Sequence, residues 1–230
     1  MSVEPSSKRV PRLKVALVAV AVVVGAGVGI GVAIAQGSGG SAKSALGPGV
    51  DPGTTFPAGA RRAPDFSLRD QAGRPISLRA LRGRPVVLAF IDPVCRNLCP
   101  LEAKILNDVP AALPAARRPV IVAVSVNPWN QQRSNLRLDA ARWHLTPQWR
   151  WALGTYPALS KVWDRYAIGV EVHTKTLAGV TVRTVDHTEA AYVIDPSGYE
   201  RALFLYPYRS GDVVNAVRRV TAGRSASSQR

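Results

Sequence analysis

Residues 84–100 read RPVVLAFIDPVCRNLCP, and this stretch decides the fold. The apolar run over residues 84–91 has the length of a strand that is buried on both faces of a sheet. Two cysteines, Cys95 and Cys99, follow closely, and Pro100 after them suits the first turn of a helix. The cysteines therefore lie at the junction of a central strand and the next helix, where open α/β sheets build their sites.

The rest of the chain alternates strand and helix patterns. We predict further strands over residues 119–126, 190–194 and 202–206, and helices over residues 100–109, 133–144, 156–166 and 211–220. This order predicts an α/β fold with a thioredoxin-like domain, in which the two near-continuous apolar strands are central in the sheet.

An apolar segment precedes this domain. Residues 15–35 carry no charge, and at about 1.5 Å per residue a helix of that length spans a hydrocarbon core of about 30 Å. Four basic residues lie between Lys8 and Lys14, which by the positive-inside rule keeps the N-terminus in the cytoplasm. We therefore expect a single-pass protein of the cell membrane with its main domain outside the cytoplasm. A signal peptide cleaved after Ala35 is the alternative.

These patterns divide the chain into five parts. Residues 37–62 are rich in Gly, Ser, Pro and Ala and show no apolar periodicity, which is typical of a flexible linker. The predicted parts are a cytoplasmic basic N-terminus (1–14), one transmembrane anchor (15–36), the linker (37–62), the thioredoxin-like domain (63–222) and a disordered tail (223–230).

Composition excludes two classes of protein. The formal net charge of +15 suggests a nucleic-acid partner, but only six of the 30 basic residues are lysines, and the arginines are scattered through every segment instead of forming one patch. We therefore expect no nucleic-acid partner. Two cysteines in 230 residues are too few for a disulfide scaffold, so their close spacing indicates chemistry.

The cysteine pair predicts reactive thiols. If Pro100 begins the helix, Cys99 is its N-cap and Cys95 lies on the preceding loop. The positive end of the helix and the charge of Arg96 should then lower the pKa of both thiols. Two soft thiolates within one turn suit Cu(I), and an added imidazole completes a three-coordinate site. The same spacing also fits a structural disulfide in an oxidising compartment.

His187 is the candidate imidazole. It lies in the segment TVDHT just before the strand predicted over residues 190–194, and in a thioredoxin-like sheet the loop entering that strand lies against the cysteines. A single histidine is more often structural, and we assign no ligand role to His144 or His173. Asp186 either orients the imidazole of His187 or has a structural role.

The segments FIDPVCRNLCP and TVDHTEAAYVIDPSG closely resemble the Sco/SenC family, and the resemblance covers about residues 63–222. In that family, residues matching Cys95, Cys99 and His187 bind copper. The resemblance implies a Cu(I) protein that delivers copper to, or reduces the cysteines of, the binuclear copper centre in subunit II of cytochrome c oxidase. The implied partners are that subunit and a thiol reductant.

Two positions depart from the family pattern. Arg96-Asn97 stands where members often carry Pro-Asp between the cysteines, and Asn127-Pro128 stands where they carry Asp-Pro after the second strand. Neither change touches a ligand, so partner docking and redox poise are affected more than metal binding.

Three functions remain open from the sequence. The first is a copper-binding assembly factor that is not an enzyme in the turnover sense. The second is a thiol-disulfide oxidoreductase that uses Cys95 and Cys99, with His187 incidental or a general base. A peroxidase is the weakest, because peroxiredoxins need Thr or Ser three residues before the attacking cysteine and this chain has Asp92. Binding of Cu(II), the oxidase served and the oligomeric state are left open.

Overall fold

The computed structural model describes residues 53–222. The predicted basic N-terminus (1–14), anchor (15–36) and tail (223–230) lie outside the described residues. Within residues 53–222, no helix is both long enough and apolar enough to cross a bilayer.

The described residues form ten strands and four α-helices. The strands are β1 (Thr54–Thr55), β2 (Leu68–Arg69), β3 (Pro75–Ile76), β4 (Val86–Ile91), β5 (Val120–Ser125), β6 (Trp149–Ala152), β7 (Val170–Leu177), β8 (Val180–His187), β9 (Ala190–Ile194) and β10 (Glu200–Leu205). The helices are α1 (Leu98–Ala111), α2 (Arg133–Arg142), α3 (Tyr156–Arg165) and α4 (Ser210–Thr221).

A six-stranded mixed sheet carries the fold, in the order β1-β10-β9-β4-β5-β6. Strands β4, β5 and β6 run parallel, whereas β9 is antiparallel to β4 and β10 is antiparallel to β9. Strands β4 and β5 have sheet neighbours on both sides, as their continuous apolar sequences predicted. The carboxyl end of β4 thus lies near the middle of the sheet.

Both faces of the sheet are covered, and this explains why the sequence of β4 contains no polar residue. Val87 and Ile91 belong to the core cluster that contains residues of α1 and α4, whereas Leu88 and Phe90 belong to the cluster that contains residues of α3. Successive side chains of a strand point to opposite faces, so a strand with a core on each side needs apolar residues throughout. The cysteine loop therefore follows a strand that is packed on both faces.

Residues ahead of Ala63, where the domain was predicted to begin, also belong to the fold. Residues 53–62, which the composition places in the linker, pack on the sheet in the structure. Strand β1 pairs with β10, and Arg61 Nε lies 3.0 Å from Glu200 Oε2. A strand of two residues has no periodicity for a sequence pattern to reveal, and Gly- and Pro-rich composition hides it further.

A long hairpin joins α3 to the central sheet. Strands β7 and β8 pair along their whole length, with Val170 opposite His187, and Ala178 and Gly179 in the turn have φ of 48° and 79°. Most of its side chains are exposed. Because His187 is the last residue of β8, the hairpin ends at the functional site.

Candidate metal centre

The cysteine loop connects β4 to α1, and the helix begins earlier than predicted. Asn97 takes the capping position and α1 starts at Leu98, so the expectation that Cys99 is the N-cap is wrong. Pro100 is the third helical residue, a position where its missing N–H costs nothing because first-turn N–H groups have no partner inside the helix. Cys95 lies on the preceding loop, as predicted.

Hydrogen bonds bring the two sulfurs together. The backbone N–H of Cys99 donates to Cys95 Sγ at 3.3 Å, and the Cys95 thiol donates to Asn97 Oδ1 at 2.9 Å. Both cysteines are free thiols, and Cys95 is half-buried whereas Cys99 is fully buried. One sulfur is thus accessible from outside and the other lies beneath it.

The two thiols have opposite pKa shifts. The hydrogen bond from the Cys99 side chain lowers the pKa of Cys95 to about 7, aided by backbone N–H groups at the helix start. The same hydrogen bond raises the pKa of Cys99, and burial and the charge of Glu189 raise it further. The prediction that both pKa values fall is therefore correct for Cys95 and wrong for Cys99, because one thiolate can be stabilised only if the other sulfur keeps its proton.

His187 reaches this pair from the other half of the domain. Its Nε2 lies 3.8 Å from Cys99 Sγ, and its side chain is only 4% exposed. Its Nδ1 lies 3.2 Å from the backbone oxygen of Thr188. A carbonyl oxygen can only accept, so Nδ1 donates in this contact, and Nε2 is the ring nitrogen directed toward the sulfur.

Glu189 is a further member of the site that the sequence analysis did not single out. Its Oε1 lies 3.7 Å from Cys99 Sγ and 3.4 Å from His187 Nε2. Cys99, His187 and Glu189 together form a cluster able to hold a metal ion. The sequence signal was the spacing of His187 and Glu189, since residues two apart in extended chain point to the same side.

A buried acid lies behind Glu189. Glu102 on α1 is fully buried and accepts a hydrogen bond of 2.7 Å from the Tyr208 hydroxyl. Burial raises the pKa of Glu102 well above its usual range, and the charge of Glu189 raises it further. The protonated form of Glu102 is therefore favoured, and Glu189 is the carboxylate nearer to the thiols.

With this geometry in place, sequence comparison decides the family. The SCO1/SenC family model matches residues 56–222. The chain belongs to the SCO1/SenC family. A comparison with curated proteins found no significant match.

Solved structures of this family share the fold. Copper-bound ScoI of Bradyrhizobium japonicum is 19% identical, with a TM-score of 0.57 over 69% of this chain and 99% of that chain. Copper-bound yeast Sco1 is 18% identical, with a TM-score of 0.62 over 74% and 93%. Apo Sco1 of Thermus thermophilus is 22% identical, with a TM-score of 0.55 over 76% and 96%. These likenesses confirm the predicted α/β, thioredoxin-like architecture.

The two departures from the family pattern have structural partners in this SCO1/SenC domain. Arg96 lies 3.1 Å from Oδ1 of Asp139, a buried carboxylate on α2. Asn127 donates to Asp92 Oδ1 at 3.0 Å beneath the cysteine loop. Arg96 thus fastens the loop to α2 through an ion pair, and the lower pKa of Cys95 comes from the hydrogen bonds around its sulfur.

His173, Asp186 and His144 lie outside the cluster that Cys99, His187 and Glu189 form among the described residues. His173 Nε2 contacts Asp186 Oδ2 at 2.8 Å across the exposed hairpin. Asp186 therefore pairs with His173 and does not orient His187. Of the two roles considered for Asp186, the structural one remains. His144 follows α2 with a φ of 52° and takes no part in the cluster.

Proposed function

We propose that this chain is a membrane-anchored, extracytoplasmic Cu(I)-binding protein that assists assembly of the binuclear copper centre of cytochrome c oxidase. It acts by delivering copper, by reducing the cysteines of subunit II, or by both. The observation that carries the proposal is the approach of His187 Nε2 to Cys99 Sγ, from a segment 88 residues later in the chain, while the backbone N–H of Cys99 donates to Cys95 Sγ.

The donor set suits Cu(I). Thiolate sulfur and imidazole nitrogen are soft to borderline ligands, and two thiolates with one imidazole complete a three-coordinate site. Copper must displace the protons of both thiols, so we expect binding to release protons and to strengthen as the pH rises. The copper-bound relatives from Bradyrhizobium japonicum and yeast support copper as the cargo.

The surroundings of the site suit a transient protein partner. Leu98 and Leu101 lie on the first turn of α1 next to the cysteines, and they are 39% and 49% exposed. A relative described as BsSco, with a disulfide switch, belongs to the Sco family of cytochrome c oxidase assembly proteins. We assign subunit II of the oxidase to this surface and expect a separate thiol reductant to restore the dithiol.

The test is the loss of one ligand at a time. His187→Ala should keep the fold and a titratable thiol pair but weaken Cu(I) retention by at least about tenfold, which corresponds to about 1.4 kcal/mol. The reason is that two thiolates still capture the ion, but the open coordination position exposes it to a competing chelator. The measurement is an anaerobic competition against a Cu(I) chelator on the reduced protein.

Matched variants control this experiment. His144→Ala and His173→Ala should bind Cu(I) like the parent, because neither side chain lies in the cluster. Cys95→Ala and Cys99→Ala should lose most of the binding. If His187→Ala holds copper as tightly as the parent while both cysteine variants do not, the three-ligand site is wrong.

The two thiols differ in pKa and in exposure, and this difference favours a second function. Cys95 is partly exposed and has the lower pKa, which suits an attacking thiolate, and buried Cys99 is placed to resolve the mixed disulfide. The chain would then act as a thiol-disulfide oxidoreductase. In that case His187→Ala should keep disulfide-reducing activity, and loss of copper binding would leave function unchanged.

A further inference from the structure

We propose that Glu189 is a fourth donor that allows this site to hold a divalent ion of tetrahedral preference, such as Zn²⁺, in addition to Cu(I). The inference rests on the proposed function, because it uses the same two thiolates and imidazole. It adds one residue and one class of ion.

The spacing of Cys99 Sγ, His187 Nε2 and Glu189 Oε1 fits three donors of one ion. With metal–sulfur bonds of about 2.3 Å and metal–nitrogen or metal–oxygen bonds of about 2.0–2.2 Å, neighbouring ligand atoms of a tetrahedral ion lie about 3.4–3.6 Å apart. The observed separations are 3.8 Å for Cys99 Sγ to His187 Nε2, 3.7 Å for Cys99 Sγ to Glu189 Oε1, and 3.4 Å for His187 Nε2 to Glu189 Oε1. A square-planar ion would need about 3.0 Å between adjacent ligands, so these three donors fit an ion with wider ligand angles, with Cys95 as the remaining donor.

The negative charge of the Glu189 carboxylate favours binding of a cation beside it. Its side chain is 11% exposed, and among the described residues its buried Oε2 has only the side chain of Glu102, whose protonated form is favoured, as a neighbouring hydrogen-bonding group. Although the chain has 30 basic residues, the salt bridges of residues 53–222 give Glu189 no arginine or lysine, only His187. Buried carboxylates are ordinarily paired or coordinate a metal, and this one faces two metal-ligand side chains.

The carboxylate distinguishes the two classes of ion. Cu(I) is soft and is satisfied by thiolate and imidazole, so an oxygen ligand adds little to its binding. Zn²⁺ takes carboxylate oxygen readily and prefers four ligands. Two thiolates with Cu(I) give a net charge of minus one, and adding the carboxylate with Zn²⁺ gives the same net charge. Glu189 therefore balances the additional positive charge of a divalent ion.

The experiment compares Cu(I) with the divalent ions Zn²⁺ and Co²⁺ on the parent and on variants of the full chain, each reduced and purified in detergent without metal. Glu189→Gln should weaken Zn²⁺ and Co²⁺ binding by about tenfold or more, since loss of even a supporting group costs about 10- to 100-fold in metal affinity. Its Cu(I) affinity should stay within about threefold of the parent. Zn²⁺ and Co²⁺ do not oxidise thiols, and the visible absorption of Co²⁺ reports its coordination number.

Two further variants make the result decisive. Glu171→Gln, a matched change of an exposed glutamate on β7, should bind every ion like the parent. Glu189→Ala removes the oxygen donor that Gln retains, and it should lower Zn²⁺ affinity at least as much as Gln does. In the parent, Co²⁺ should show the intense visible bands of four-coordinate geometry, and these should weaken in both Glu189 variants.

The outcomes separate the two proposals. If Glu189→Gln and Glu189→Ala both bind Zn²⁺ like the parent while the parent retains Cu(I), the fourth-donor inference is overturned and the proposed function stands. If the variants lose Cu(I) and Zn²⁺ equally, Glu189 only positions the site, and the inference is again overturned. If the parent fails to bind Cu(I), it is the proposed function that fails.

Discussion

Cys95 and Cys99 differ in reactivity although they lie on one turn of chain. Cys95 has its pKa lowered to about 7 and is half-buried, whereas the pKa of Cys99 is raised and its sulfur is buried. The thiolate is the form that alkylating reagents attack. We therefore expect the alkylation rate of Cys95 to reach half its maximum near pH 7, while Cys99 reacts slowly up to pH 9.

The sequence itself provides the assay for this difference. Arg96 lies between the cysteines, so trypsin places Cys95 and Cys99 on different peptides, and mass spectrometry can follow each rate after a pulse of iodoacetamide. The urea-unfolded chain is the control, in which both thiols should have a pKa of about 8.5. Equal rates for the two cysteines in the folded protein would contradict the structure.

At the scale of elements, the segment that carries β1 stabilises the sheet edge. Arg61 is the ion-pair partner of Glu200, whose side chain is 2% exposed, and burial raises the pKa of Glu200 while Arg61 opposes that effect. A chain that begins at Ala63 should therefore be less stable than one that begins at Gly53. We expect a loss of about 2 kcal/mol or more, because a buried carboxylate is left without its partner.

Urea unfolding followed by tryptophan fluorescence measures this loss. Arg61→Ala in the longer chain should reproduce part of it, whereas Arg62→Ala should cost little, because Arg62 makes an exposed hydrogen bond to the Tyr199 hydroxyl. Equal stability of the two chains would show that residues 53–62 act only as a linker.

Buried strands with continuous apolar sequence could be predicted from sequence, whereas the exposed strands β7 and β8 and the shortest strands could not. The predicted strands over residues 84–91 and 119–126 are β4 and β5, and their central position follows from continuous apolar residues. Strands β1, β2 and β3 have two residues each, and only tertiary pairing makes them strands. Strand β6 has four residues, of which Arg150 interrupts the apolar run.

The functional site likewise has features that could be predicted from sequence and features that could not. Cys99 and His187 stand in motifs, so the approach of one to the other could be predicted from the order of strands and helices. The raised pKa of Cys99 could not, because it depends on which sulfur keeps a proton in a buried pair. Glu189 could not be singled out in the same way, because a glutamate two residues after a histidine joins the site only if the chain between them is extended.

At the scale of the whole molecule, the ligands come from distant parts of one chain. Cys99 lies on α1, and His187 ends the hairpin 88 residues later. An ion bound to both therefore ties the first half of the fold to the second, as a cross-link would. Any ion that binds only the folded chain stabilises it, by about 4 kcal/mol at a free concentration a thousandfold above the dissociation constant.

Binding of Cu(I) should therefore raise the melting temperature of the protein. For a domain of this size, about 4 kcal/mol corresponds to a rise in Tm of about 10 °C. Scanning calorimetry of the reduced apo and Cu(I)-loaded protein measures the rise, and Cys99→Ala should abolish it. An unchanged Tm would mean that copper binds without bridging the two halves. The expected rise implies that transfer of the ion to a partner also removes this cross-link. The protein is therefore less stable after it has released copper than before.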